Sequence, residues 1–92
     1  MNTYLISYDL GQPETRQDYV NLIAKIKSYS WWAKPLYSVW FVKSKKTAGE
    51  IRDELKGFLD ANDKLLVIQI VKHWGTYGVS KEVNEWMKNN IE

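Results

Sequence analysis

The chain contains no cysteine, which excludes a disulfide framework and the thiolate zinc sites on which many small domains rely. It has one histidine, His73, so a histidine-based zinc site is excluded as well. Arginine is scarce: eleven of the 13 basic residues are lysine, leaving Arg16 and Arg52 as the only planar forks for a phosphate. No apolar run approaches the length of a membrane span, and the longest, Leu65 to Ile70, is interrupted by Gln69. There is no P-loop, dinucleotide fingerprint or nucleophile elbow. With no charged leader or cleavage pattern before the first strand-like segment, the expected setting is cytoplasmic, without a membrane partner.

What is present is ordinary for a globular protein: 92 residues, 45% hydrophobic and 26% charged. This is enough for one domain, which at this size buries only about 60–65% of its unfolded surface. Small domains usually add a staple. With disulfides and zinc excluded, a partner subunit is the expected one. A net charge of +2 is compatible with a nucleic-acid partner without requiring one.

Thr3 to Tyr8 is rich in β-formers and predicts a first strand, closed by Asp9 and a loop containing Gly11 and Pro13. Tyr19, Leu22, Ile23 and Ile26 make an apolar stripe in a helix from Glu14 to Ser28, with Glu14 and Asp18 early and Lys25 and Lys27 late, as the helix dipole favours. Ser30 to Lys34 predicts a short edge strand ended by Pro35, and Tyr37 to Lys43 a strong third strand. Thr47 and Glu50 form a capping-box pattern before a helix carrying Ile51, Leu55, Phe58 and Leu59. Lys64 to Val71 is the fourth strand. Beyond it, Ser80 can cap a last helix bearing Val83, Trp86, Met87 and Ile91.

The order is βαββαβ, an α+β, ferredoxin-like unit with a core over residues 1–71 and a C-terminal tail over 72–92. Right-handed crossovers put the first and third strands in the middle of the sheet. Both sheet faces are apolar, since Val39 and Phe41 oppose Trp40 and Val42, and Leu65 and Val67 oppose Leu66, Ile68 and Ile70. Two helices cover one face only. The fourth strand is an edge without the charges that protect edges. These features predict a homodimer, with the aromatic tail of the same chain or of its partner as the candidate cover for the fourth strand.

Tyr8-Asp9, Ser38-Val39-Trp40 and the βαββαβ order resemble CRISPR-associated protein 2, the small spacer-acquisition subunit of CRISPR systems. Tyr4 to Leu10, the Trp31-Trp32 pair and Asn62 to Ile68 are closer still to its SinR-like branch. The resemblance spans about residues 1 to 80, on motifs that are short. It implies a sheet-to-sheet dimer with C-terminal strands exchanged over the fourth-strand edge, and an aspartate pair near the two-fold axis that holds a divalent metal, magnesium or manganese, for endoribonuclease chemistry. Other members act as scaffolds for DNA, and the VapD-like toxins offer a further analogy for RNA cleavage. The family's arginine cluster after the aspartate is reduced here to Arg16.

Asp9 is therefore the candidate catalytic and metal-binding residue, with two-fold symmetry supplying the second carboxylate. The competing role is an ordinary turn cap. Lys43, Lys45 and Lys46 form the densest basic cluster. If the first and third strands run parallel, the three lysines share the Asp9 end and steer phosphates to it, and otherwise they are a solvated loop. Arg16 is a candidate phosphate contact, or a partner for Asp9 or Glu14. Among the aromatics, Trp40 is expected in the core. Trp31 and Trp32 alternate on a strand, leaving at most one to stack on a base, and Trp74, Tyr77 and Trp86 bury the tail or the dimer contact. His73 is expected in an ordinary surface role. Two functions remain open: a weak metal-dependent endonuclease acting on RNA in preference to DNA, and a non-catalytic dimeric adaptor for nucleic acid or a partner protein.

Overall fold

Alternating apolar residues on four segments and two capped, one-sided helices build a two-faced sheet with different covers. The computed structural model describes residues 1–11 and 16–91, apart from the side chains of Arg16 and Asp18. Its elements are β1 (Asn2–Asp9), α1 (Arg16–Lys27), β2 (Ala33–Leu36), β3 (Val39–Ser44), α2 (Ala48–Lys56), β4 (Lys64–Ile70) and α3 (Lys81–Asn90). Pro13, Glu14 and the side-chain roles expected of Asp18 and Arg16 lie outside the described residues.

The sheet order is β2-β3-β1-β4, so the first and third strands are central, as the crossover rule requires. All three pairings are antiparallel. Tyr4, Ile6 and Tyr8 of β1 join Trp40 and Val42 of β3 on the inner face, under Leu22 and Ile26 of α1 and Ile51 and Leu55 of α2. Ile6, Ile26, Ile51 and Leu55 are completely buried. Each such side chain contributes about 1.5–3 kcal/mol relative to exposure. The capping box starts α2 as expected: Glu50 N–H donates to the Thr47 hydroxyl at 3.1 Å, and Thr47 N–H donates to the Glu50 carboxylate at 2.8 Å.

The outer face carries Phe41 and Ala33, with Leu5, Val39 and Ile70 beside them, and part of it is covered by this chain's own tail. Ser80 accepts the Val83 N–H at 3.2 Å and starts α3. Val83, Trp86, Met87 and Ile91 fall on one stripe and pack on that cluster. The Trp86 ring stacks on Phe41 at 5.8 Å, and the Thr3 hydroxyl donates to the Asn90 carbonyl at 2.7 Å. The cover lies on the β2–β3 side. The edge of β4 is left unpaired among the described residues, so this chain's own tail does not pair with it.

The second strand differs from expectation. It begins at Ala33 and includes Pro35, which an edge strand tolerates because its missing N–H is not needed by a neighbour. Trp31 takes a left-handed backbone conformation (φ 59°) in the turn before the strand. Trp31 and Trp32 therefore do not alternate on a strand, and both are exposed.

Glu54 of α2 ties the helix layer to the β3–α2 connection. It accepts the Tyr29 hydroxyl at 2.5 Å, contacts Lys46 Nζ, and lies 3.6 Å from Lys25 Nζ. The Lys46 and Tyr29 hydrogen bonds lower its pKa from 4.5 to about 2. Burial, and then the Glu54 carboxylate, raise that of Tyr29. A depressed carboxylate contributes stability above its unfolded pKa and loses it as pH falls through the folded one. Glu54→Gln should therefore lower stability at neutral pH by about 1 kcal/mol, a small figure because solvent screens a partly exposed group. It should also flatten the fall in melting temperature expected of the wild type between about pH 4.5 and 2. Thermal melts of both proteins across that range are the check.

Candidate functional site

Asp9 is the last residue of β1, exposed, and opposite Lys64 of β4 in the register. By strand alternation it shares the outer face with Leu5 and Ser7 and, across the ladder, with Leu66 and Ile68. Among the described residues Asp9 makes no hydrogen bond or ion pair. It lines a shallow hollow of about 190 Å³ with Ser7, Lys64 and Leu66.

The loop that follows is held from elsewhere. Gly11 N–H donates to one carboxylate oxygen of Asp63 at 2.7 Å, and Asp60 N–H donates to the other at 2.7 Å. Only glycine fits at Gly11, since a Cβ there would lie 2.8 Å from the Asn62 carbonyl oxygen. Asp63 thus satisfies the Gly11 N–H and leaves Asp9 facing solvent. Among the described residues no three acidic, histidine or cysteine side chains are grouped as a metal would need. Within one chain Asp9 is a single ligand.

The lysine cluster is at the other end of the sheet. Because β1 and β3 are antiparallel, Thr3 pairs with Lys43 and Asn2 with Ser44. Seven residues of strand, about 24 Å, separate that end from Asp9. The sheet direction therefore overturns the arrangement in which Lys43, Lys45 and Lys46 steer phosphates to Asp9. Lys46 is also engaged by Glu54, and its carbonyl accepts the Tyr4 hydroxyl at 2.7 Å. Lys45 is exposed and Lys43 half-buried on the outer face. The Arg16 side chain lies outside the described residues. His73 is exposed with a left-handed backbone (φ 76°).

Two grooves were not expected from the sequence. One, of about 600 Å³, runs on the outer face between the sheet and the chain after β4, lined by Leu36, Phe41, Ile68, Val71, Trp74 and Tyr77. Tyr77 is fully exposed and Trp74 partly so, whereas Trp86 packs on the outer-face cluster. The other, of about 450 Å³, lies between α1 and the β2 edge and includes Tyr19, Ile23, Lys27, Trp32, Lys34 and Trp40. Trp40 is buried as expected, and its indole N–H donates to the Tyr8 hydroxyl at 3.2 Å. Burial raises the Tyr8 pKa, against the Trp40 hydrogen bond, which lowers it.

No family model matches the chain. Among solved structures it is similar to a hypothetical protein, TT1823, from Thermus thermophilus, with a TM-score of 0.66 and 22% identity over 85% of this chain and 92% of that one. That likeness supports the small α+β architecture and, at this identity, the fold alone. Among the described residues no helix is long and apolar enough to cross a membrane.

Proposed function

We propose that this ferredoxin-like domain is a nucleic-acid-associated protein that works as a sheet-to-sheet homodimer, in which the Asp9 carboxylates of two copies form one divalent-cation site for cleaving RNA. The observation that carries this reading is the position of Asp9 on the half of the outer face that α3 leaves open, beside Leu66 and Ile68, which are 51% and 47% exposed. Joining two such faces would bury the apolar patch and bring the two carboxylates towards a common axis.

A single exposed carboxylate suits magnesium or manganese, because such ions keep several waters and take one or two protein carboxylates. When bound, the ion supplies neutralisation of phosphate charge and an activated water. Asp9 would hold it, and the solvent-facing hollow around Ser7 and Lys64 leaves room for the phosphodiester. The resemblance to CRISPR-associated protein 2 points the same way.

A second reading, a non-catalytic adaptor for nucleic acid or a partner protein, is favoured by the distance between Asp9 and the lysine cluster. Incubating single-stranded RNA with the purified protein separates the two. Cleavage that requires added magnesium or manganese supports the nuclease. Salt-sensitive binding without cleavage under either metal ends that reading and supports the adaptor.

A further inference from the structure

We infer that the groove between α1 and the β2 edge is a stacking site for an unpaired base of single-stranded RNA, with Lys27 and Lys34 taking the neighbouring phosphates. The inference deepens the nucleic-acid association proposed above and rests on it.

Trp40 gives the groove a rigid back wall. It is 2% exposed and fixed by its hydrogen bond to Tyr8. Trp32 stands in front of it, 42% exposed, with ring centroids 5.5 Å apart and planes tilted by 60°. Trp32 is thus a solvent-exposed indole backed by a fixed one, which a base can reach by displacing the flexible Lys27 side chain from over its ring. Tyr19 and Ile23 of α1 close the opposite wall. The cavity of about 450 Å³ is within the size range of small-ligand sites.

The charges point to an anionic ligand. Lys27 Nζ lies 5.2 Å from the Trp32 ring and Lys34 Nζ 4.9 Å from the Trp40 ring. Lys34 also lies 5.2 Å from Tyr37. Cation–π contact positions an ammonium group without neutralising it. Among the described residues neither lysine has a carboxylate partner, whereas Lys25, Lys46 and Lys56 are paired with Glu54 or Asp53. Two held, uncompensated positive charges around an aromatic slot complement a flat base joined to phosphates. A base inside a duplex cannot enter such a slot, so the ligand is single-stranded.

The test is fluorescence anisotropy with a short labelled oligouridine, its duplex with oligoadenosine, and inorganic polyphosphate as a competitor with charge but no bases. The wild type should bind the single strand in preference to the duplex, and polyphosphate should compete poorly. Trp32→Ala should weaken binding about tenfold or more, the range of one lost base–aromatic stack, while Trp32→Phe retains most of it. Removing both lysines as Lys27→Gln and Lys34→Gln should reduce the steepness of the log–log salt dependence by about 1.4, the single-strand value for two phosphates. Unchanged binding in both Trp32→Ala and the double lysine variant would overturn the groove as the site and leave nucleic-acid association standing. Polyphosphate competing as well as RNA would overturn the stacking. A wild type that binds neither the single strand nor the duplex at low salt would overturn both.

Discussion

Ending the chain after Val79 is expected to yield an aggregating, largely unfolded product. The truncation removes Val83, Trp86, Met87 and Ile91 and uncovers Leu5, Ala33, Val39, Phe41 and Ile70 together. Met87 is 4% exposed and Ile91 6%, so both are core residues. Met87→Ala alone should cost about 2–5 kcal/mol, as large-to-small core changes do. In a domain of this length each kcal/mol moves the melting temperature by about 4–8 °C. Total stabilities are only about 5–15 kcal/mol, so losing the whole helix exhausts the reserve. Soluble yield and circular dichroism of the truncated chain, with a melt of Met87→Ala, are the measurements. A soluble truncated chain that melts like the full one would mean that α3 stabilises nothing.

Ile68→Glu is expected to halve the particle mass while leaving the fold intact. Ile68 lies on an edge strand and is 47% exposed in the single chain, so a glutamate there meets water in a monomer. In the proposed dimer the same carboxylate would be buried and duplicated by symmetry, a position where unpaired charge is strongly unfavourable. Light scattering should give twice 10.8 kDa for the wild type and 10.8 kDa for the variant, with similar circular dichroism. A dimer that survives the substitution would place the interface elsewhere. A monomeric wild type would remove the symmetric Asp9 pair.

The fold was legible wherever period and capping agree. The β-forming run of Thr3 to Tyr8, the Thr47–Glu50 box and the Ser80 cap all appear as read, and the crossover rule supplies the strand order. The second strand was misplaced because Ser30 to Lys34 has β-forming composition, while the turn is set by the left-handed Trp31, which nothing local announces. The position of the lysine cluster depended on strand direction, a consequence of topology: the β2–β3 hairpin reverses the chain and carries Lys43 away from Asp9. The groove of Lys27, Trp32, Lys34 and Trp40 could not be read from spacing, because it joins a helix end, a turn and two strands. Asp9 was legible as the close of β1. That Asp63, 52 residues away, holds the N–H of Gly11 was not.

The central claim concerns one carboxylate, and Asp9→Asn tests it most directly. Asparagine keeps the size of the side chain and removes the negative charge that a hard cation requires. The account predicts magnesium- or manganese-dependent cleavage of single-stranded RNA by the wild type, falling by orders of magnitude in Asp9→Asn. Dimer mass and melting temperature should stay equal to the wild type's or rise slightly, because two like charges near an axis repel in the metal-free protein. Equal cleavage by Asp9→Asn and the wild type, or no metal-dependent cleavage by the wild type, would contradict it.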